Sequence, residues 1–260
     1  MFAQRLAARR KMNFSEAQIL VTGGGRGIGR HLVERAVAEA RRVAVFEKEE
    51  DAIADLTAAH PAVKCYLCDV TDPGAVGAAL TALEGDGFAL DVLVNNAGLV
   101  HSAPLINLLE KNDRVHSVED WQRVLAANLS SVFYVTGPVV NHMLKRRTKG
   151  VVISMSSISA RGNAGQSAYS AAKAGVDALT RTWAKELSGL GLRFVSIAPG
   201  FIDTSSTREA LSDANLTKLK GQIPLRRLGE VEHVYQTVRF IVENDYVNGT
   251  VLEIDGGLVI

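Results

Sequence analysis

Short apolar runs rich in β-branched residues recur along the chain at residues 19–21, 43–46, 63–67, 92–94, 151–154, 194–197 and 251–254. Longer stretches with apolar positions at helical spacing lie between them, at 30–40, 74–83, 118–144, 171–187 and 231–241. In the first of these, Leu32, Val33, Ala36 and Val37 share one face. Alternation of this kind predicts repeated βαβ units and a parallel sheet, with right-handed crossovers putting helices on both faces. The strands are apolar almost throughout rather than at every second position, as strands covered on both sides must be. The expected fold class is α/β: a doubly wound parallel sheet of about seven strands in a three-layer αβα sandwich.

No internal repeat, low-complexity tract or Pro/Gly/Ser-rich linker divides the sequence, and 260 residues suit one domain of this type. That domain is drawn over residues 17–260, behind an N-terminal arm at 1–16 that need not be ordered. Two polar stretches, 101–117 and 203–222, read as surface loops. Both follow strands, and ligands of open α/β sheets bind beyond the carboxyl ends of the strands, so both are expected to flank the site.

Composition narrows the function classes. Apolar residues make up 47% and charged residues 22%, an ordinary globular balance, and 29 Lys and Arg stand against 28 Asp and Glu. A net charge of +1 gives no footprint for nucleic acid or an acidic membrane surface. No uninterrupted apolar run approaches the ~20 residues that cross a bilayer. Residues 1–12 are basic and hold no acid; a cytoplasmic location is expected, with an Arg-rich organelle-import segment as the alternative. Cys65 and Cys68 have C-x-x-C spacing, but an odd separation along a strand sends them to opposite faces of the sheet, which excludes a shared metal or disulfide. The six histidines fall in no metal-ligand pattern, so no metal is expected.

The first chemistry-bearing motif is Thr22-Gly23-Gly24-Gly25-Arg26-Gly27-Ile28-Gly29, which leaves the first strand and opens a helix. Glycines there let the backbone turn and approach a pyrophosphate, while the helix N-terminus offers unpaired N–H groups and a positive dipole end. Glu47 ends the second strand some 20 residues on, where a carboxylate accepts from both ribose hydroxyls of NAD and repels the extra phosphate of NADP. Arg26 and Lys48 point the other way, since either could pair with that phosphate. A Rossmann-type site for NAD(H) is expected, with NADP(H) as the alternative.

The second motif is Tyr169-Ser-Ala-Ala-Lys173. Residues four apart on a helix share a face. Reducing a ketone takes a hydride and a proton, and a phenol of pKa about 10 is a poor acid–base group near neutrality unless a cation favours its phenolate. Bringing it to working pH asks for about 4 kcal/mol of differential stabilisation, and acid–base catalysis is then at its most effective. Ser156 ends the fifth strand, where a hydroxyl could donate to a carbonyl oxygen as charge grows on it. Ser157 and Ser159 stand beside it, and spacing alone does not choose among the three. Asn128 sits inside a long helical pattern, where an amide is not a favoured residue.

Together these residues resemble the short-chain dehydrogenase/reductase family from about residue 17 to the C-terminus. Thr22-Gly23-x-x-x-Gly27-Ile28-Gly29 matches its cofactor loop, Asp69-Val70 its adenine-contacting pair, Asn95-Asn96-Ala97-Gly98 its fourth-strand motif, and Asp255-Gly256-Gly257 its ending. Pro199-Gly200-x-Ile202-x-Thr204 resembles the segment that closes over the nicotinamide. The family's Asn-Ser-Tyr-Lys tetrad falls on Asn128, Ser156, Tyr169 and Lys173, its spacing selecting Ser156 over Ser157. The resemblance implies the strand order 3-2-1-4-5-6-7 and a homotetramer built on the helices that carry Asn128 and Tyr169. It also implies roles: Tyr169 as the acid–base group, Lys173 tuning it and holding the nicotinamide ribose, Ser156 polarising the carbonyl, and Asn128 holding a water that resupplies protons.

Within the family, the stretch between Gly98 and Asn128 is long and the 239–249 segment short, as in the NAD-dependent 3-hydroxyacyl-CoA dehydrogenase type 2 branch. The 223–230 segment resembles the 3-oxoacyl-[acyl-carrier-protein] reductases instead. An acyl thioester, on acyl carrier protein or CoA, is the leading substrate class; a polyol, steroid or other alcohol is the rival, and a silent NAD-binding sensor is the reading from another class. His101, Leu105, Ile106 and Leu108 in one loop and Leu211, Leu216 and Leu219 in the other are expected to line an apolar mouth. Arg208, Lys218, Lys220, Arg226 and Arg227 are the candidates for greeting a carrier's phosphate.

Overall fold

The computed structural model describes residues 12–112, 114–210 and 212–259. A 3-10 turn, Phe14–Glu16, leads into β1 (Gln18–Thr22), buried along its whole length. The glycine loop follows, then α1 (Gly27–Glu39), β2 (Arg42–Glu47), α2 (Glu50–Ala59), β3 (Lys64–Leu67), α3 (Pro73–Gly85) and β4 (Val92–Asn95). After a long connection come α4 (Val118–Leu125), a π-turn at Ala126–Ser130, α5 (Ser131–Lys145) and β5 (Gly150–Met155). A 3-10 turn, Ile158–Arg161, precedes α6 (Ser167–Leu187) and β6 (Leu192–Pro199). The remainder is β7 (Ile202–Asp203), α7 (Ser205–Ala210), α8 (Asp213–Gln222), β8 (Gly229–Glu230), α9 (Val231–Glu243) and β9 (Thr250–Ile254).

Seven strands pair in parallel in the order β3-β2-β1-β4-β5-β6-β9, with registers such as Val21↔Val45, Val94↔Ile153 and Ile197↔Leu252. This is the expected fold and strand order; the seventh sheet strand is β9, because β7 and β8 form a two-stranded ladder of their own. The order reverses between β1 and β4, so the crevice beyond their carboxyl ends is where a ligand fits.

Successive residues of a strand face opposite layers. On one face Ile19, Val21, Val43 and Val45 pack with Leu32 and Val33 of α1 and Val234 and Tyr235 of α9. On the other, Leu20, Ala44 and Leu93 pack with Leu80 and Leu83 of α3 and Val139 and Met143 of α5. Cys65 packs in the first layer and Cys68 in the second, and both are free thiols. Burial pushes the Cys68 thiol up to about 11, far from a reactive thiolate.

Four expectations change. The folded body begins before residue 17: Phe14 is buried and meets Tyr235 edge-on at 5.8 Å between ring centroids, while residues 1–11 of the arm lie outside the described residues. Helix α2 has no counterpart among the predicted helices, because only Ala52 and Leu56 of it are buried and two positions make no stripe. The 203–222 stretch is not an irregular loop but carries α7 and α8, whose Leu216 and Leu219 pack on Ile158, Ile223 and Leu228. The expected 118–144 helix is broken at its middle by the π-turn.

The 28-residue run Val118–Lys145 is long and apolar enough, on length and composition alone, to cross a bilayer. Its buried side chains Val135, Val139, Val140 and Met143 instead meet the sheet and α3, which accounts for that apolarity. The 101–117 connection is irregular as expected, pinned by single bridges between Ala103 and Gln166 and between Ile106 and Val115.

Phe14 closes one end of the first layer. Truncating a buried aromatic costs about 3 kcal/mol or more, so Phe14→Ala is expected to lower the melting temperature by roughly 10 °C with kinetic constants unchanged; calorimetry and a steady-state assay check both.

Candidate active site

A cleft of about 1130 Å³ runs across the carboxyl ends of β1, β4, β5 and β6, from the glycine loop to α6. Its walls include every candidate tetrad and cofactor residue, from Gly23, Arg26, Gly27, Ile28 and Gly29 at one end to Tyr169, Lys173, Pro199, Gly200, Ile202 and Thr204 at the other.

The cofactor end is built by close approach. Gly23 has φ +65° and a Cβ there would lie 2.9 Å from Ala97 Cα; a Cβ on Gly29 would lie 2.0 Å from the Gly23 carbonyl oxygen. The Asn96 side chain clamps the loop to β4, donating to the carbonyls of Thr22 and Gly23 at 3.1 and 2.9 Å, while Thr22 Oγ1 accepts from the backbone of Asn96 and Ala97. Helix α1 opens with no side-chain cap and no acid in its first turn. Its first N–H groups are therefore left for a ligand's anion. A Cβ on Gly27 would meet nothing within 4 Å, so the backbone there stands open for the approach of a phosphate.

Glu47 is buried at the end of β2 and folds back on the loop. Its Oε2 accepts from Gly25 N at 2.9 Å and its Oε1 from Lys48 N at 2.8 Å. Arg26 points away from the loop to an exposed ion pair with Asp51 at 2.6 Å. Asp69 beside the cleft is held below the usual carboxylate range by the Thr71 N–H, against a smaller opposing effect of burial. This residue set suits a dinucleotide: bare N–H groups for pyrophosphate, a carboxylate for a ribose, and an open wall at Val70 for an adenine.

At the other end α6 delivers Tyr169 and Lys173 from its first two turns, both buried. Lys173 Nζ donates to the Met155 carbonyl at 2.8 Å and lies 5.6 Å from the Tyr169 ring centroid. Burial lowers the ammonium to about 8, opposed by the charge of Asp177 one turn further on. Burial also raises the Tyr169 phenol, opposed by a hydrogen bond with the Ser157 hydroxyl. Ser156 is buried, and its hydroxyl donates to the Lys173 carbonyl at 3.4 Å and lies beside the Asp177 carboxylate.

Asn128 occupies the π-turn, a feature that recurs at functional sites because the extra residue re-aims side chains. Its Nδ2 donates to the carbonyls of Leu99 and Val124 at 2.9 and 3.0 Å, and Oδ1 accepts from Leu99 N at 3.3 Å. Gly98 makes room for this packing: a Cβ there would sit 2.5 Å from Asn128 Oδ1 and 3.7 Å from Lys173 Nζ. The amide thus ties the strand exit to α4 beside the lysine.

The tetrad positions and the cofactor residues converge in one cleft. The expected apolar mouth does not: His101, Leu105, Ile106, Leu108, Leu216 and Leu219 are absent from its walls, and Leu211 lies outside the described residues. Leu105 and Leu108 point to solvent, while Leu99, Val100, Ile158 and Phe201 supply the apolar wall. Arg208 is engaged by Asp203 and Arg227 by Glu230, so neither stands as a ready phosphate site. Sequence reasoning set Ser157 aside in favour of Ser156, and missed Asp177 and Arg123 at the cleft edge. Asp177 carried a signal, since it repeats the four-residue spacing that joins Tyr169 to Lys173.

A family profile described as Enoyl-(Acyl carrier protein) reductase matches residues 23–259. The 3-oxoacyl-[acyl-carrier-protein] reductase of Thermotoga maritima is 38% identical over 247 residues, covering 93% of this chain and 97% of that protein. Its counterpart from Escherichia coli K12 is 34% identical over 252 residues, covering 95% and 99%. Among solved structures, a candidate gluconate dehydrogenase from Agrobacterium tumefaciens superimposes with a TM-score of 0.87 at 27% identity, over 95% of this chain and 98% of that one.

A buried ammonium costs stability. Lys173 is harder to charge in the folded chain, at about 8, than at its ordinary 10.5, a penalty of order 3 kcal/mol that is present in full below pH 8 and fades as the pH rises toward 10.5. Lys173→Met is therefore expected to abolish turnover yet raise the melting temperature at pH 7 by roughly 10 °C. The gap should narrow by pH 10, which thermal unfolding at the two pH values checks.

Proposed function

Since the chain belongs to the short-chain dehydrogenase/reductase family, whose members are nicotinamide-dependent oxidoreductases of carbonyl and CH–OH groups, we propose that it moves a hydride between NAD(H) and a 3-oxoacyl or 3-hydroxyacyl thioester. The observation that carries this reading is the convergence of Tyr169, Lys173 and Ser156 at the inner end of a cleft continuous with the glycine loop. The thioester rests on the curated relatives that are 3-oxoacyl-[acyl-carrier-protein] reductases over nearly their full length.

The bound nicotinamide supplies or accepts the hydride; the protein's own groups handle the proton. Tyr169 is the acid in reduction, giving its phenolic proton to the carbonyl oxygen, and the base in the reverse direction. Lys173 favours the phenolate by its charge. Ser156 lines the same end of the cleft and is the proposed group that orients the carbonyl, its hydroxyl turning from the Lys173 carbonyl toward the substrate oxygen as negative charge grows there. Asn128 braces the wall beside Lys173, through which protons return from solvent. The cofactor residues are Gly23, Arg26, Gly27, Ile28 and Gly29 on the loop, Glu47, Asp69 and Val70 along the adenosine wall, and Asn96, Ala97 and Gly98 after β4. Tyr169 and Lys173 with Pro199, Gly200, Ile202 and Thr204 complete the nicotinamide end.

NAD(H) is favoured over NADP(H) by two features. The buried Glu47 carboxylate retains lone-pair capacity for ribose hydroxyls and would repel a 2′-phosphate. Arg26, the cation best placed to greet that phosphate, is committed to Asp51. Exposed Phe133 on α5 and exposed Phe240 on α9 support self-association into a homotetramer, and the cytoplasm is its proposed location.

A polyhydroxy acid or polyol is the second reading. It is favoured by a hydrogen-bonded polar wall in which Ser159 and Asn163 donate to Gln166 Oε1 and Gln166 Nε2 donates to Ser102, and by the resemblance to the candidate gluconate dehydrogenase.

A spectrophotometric panel pairing acetoacetyl-CoA, a β-keto acyl surrogate, gluconate and a steroid with NADH and NADPH, and their oxidised forms for the alcohols, tests this. The highest kcat/KM is expected for a 3-oxoacyl thioester with NADH, with Tyr169→Phe lowering kcat at least a hundredfold and Glu47→Ala gaining relative use of NADPH. Activity confined to gluconate or the steroid overturns the thioester.

A further inference from the structure

Charge is spread unevenly along the cleft. Among the described residues of its walls, Arg26, Glu47, Lys48 and Asp69 carry charge at the adenosine end, Lys173 at the catalytic end, and Arg123 at the edge. Lys173 is buried and directs its ammonium to the Met155 carbonyl. Arg123 on α4 is exposed and adjoins Val124, which shares an apolar cluster with Tyr169. The other polar side chains near that end of the cleft include Ser102, Ser159, Asn163 and Gln166, all neutral.

We propose that Arg123 is a specificity-determining residue of this site, receiving anionic oxygens of the substrate while the reacting carbonyl lies at Tyr169. The anion is a carboxylate on a short oxo acid or a phosphate on the arm that carries a thioester. The inference rests on the reading of the Tyr169–Lys173 end as the place of hydride transfer.

The guanidinium is held through one of its nitrogens. Nη2 donates to Asp120 Oδ1 at 2.6 Å and meets His101 Nδ1 at 3.5 Å. A guanidinium can only donate, so Nδ1 is the acceptor and the imidazole carries its proton on Nε2. That nitrogen is buried without a hydrogen bond, 3.6 Å from Asp120 Oδ2. The His101 ring is fixed in turn: it meets His116 edge-on at 6.0 Å between centroids, and His116 meets Trp121 edge-on at 6.4 Å. These contacts tie the 101–117 connection to α4 beside the cleft.

The clamp occupies Nη2 and leaves the Nε proton and both Nη1 protons for a ligand. Neither Asp120 nor His101 belongs to the walls of the cleft, so a molecule bound there meets the cation and not the carboxylate that steadies it. An exposed ion pair of this kind contributes little by itself, and its cation stays available to a second anion. Charge-assisted hydrogen bonds to carboxylate or phosphate oxygens are the strong ones. A neutral ligand closing over the same edge strips water from the guanidinium and returns no partner, so the site discriminates by charge.

The test pairs substrates that share a reacting group and differ in charge: acetoacetate against its ethyl ester, and acetoacetyl-CoA against the acetoacetyl thioester of N-acetylcysteamine, each with NADH. In Arg123→Gln, kcat/KM for the anionic member of at least one pair is expected to fall about tenfold relative to its neutral member, mostly through KM. Arg123→Glu should deepen that loss, and Arg123→Lys should recover part of it. Added salt should narrow the anionic preference of the unaltered protein more than that of Arg123→Gln. A response confined to acetoacetate identifies a carboxylate; one confined to the CoA thioester identifies a phosphate.

Unchanged anionic-to-neutral ratios in both pairs overturn the proposal. So does an equal loss on charged and neutral members, which marks a structural role alone. Tyr169→Phe separates the two claims: if it keeps near-normal turnover, the reading of the catalytic end falls and takes this inference with it. If it is inactive while the Arg123→Gln ratios match those of the unaltered protein, only the role of Arg123 falls.

Discussion

Lys173 is a cation sealed inside the protein, with its ammonium on the Met155 carbonyl and its charge beneath the Tyr169 ring. Burying it is unfavourable, and its depressed protonation shows the cost. The surrounding structure accommodates that cation. Gly98 has no side chain because one would strike Asn128 and approach the ammonium. The π-turn swings Asn128 against the exit of β4, and β5 ends where its last carbonyl can receive the lysine. The benefit is electrostatic: an unscreened charge in a low-dielectric wall acts on the phenol far more strongly than a solvated one would.

The same wall joins chemistry to cofactor recognition. Asn96, two residues before Gly98, holds the glycine loop through the carbonyls of Thr22 and Gly23. One short segment after β4 thus fixes the glycine-loop end of the cleft and packs against its Tyr169–Lys173 end. Sub-ångström movement there would disturb both, which is why Gly23 and Gly29 are confined to approaches no Cβ could share. Glu47 completes the frame from the β2 side, its carboxylate serving as a structural acceptor for Gly25 before any ribose arrives.

The fold was legible because its strands are continuous apolar runs and its helices carry stripes; those two periods are enough for a doubly wound sheet. Helix α2 escaped because alanines and acids cover most of it. Helices α7 and α8 escaped because the 203–222 stretch is polar and its few leucines pack on a local cluster away from the sheet. In the site, motif spacing located Tyr169, Lys173 and Asn128, but it could not say which way a hydroxyl turns. That depended on a helix carbonyl and a carboxylate for Ser156 and on a 3-10 cap for Ser157, contacts made only once α6 docks on β5. The mouth of the cleft was misjudged for a similar reason: Leu105 and Leu108 are apolar in sequence yet face solvent, and the walls come from residues nearer the strand ends.

The central claim is hydride transfer at the Tyr169–Lys173 end of the cleft. Its most direct measurement is label transfer from NADH deuterated at nicotinamide C4 to a 3-oxoacyl thioester, followed by mass spectrometry of the product. The account predicts one deuterium on the new carbinol carbon, delivered by one face of the nicotinamide only, and none formed by Lys173→Met at equal protein concentration. NADH binding at the glycine loop without any carbinol deuterium, across the substrate panel, would contradict it.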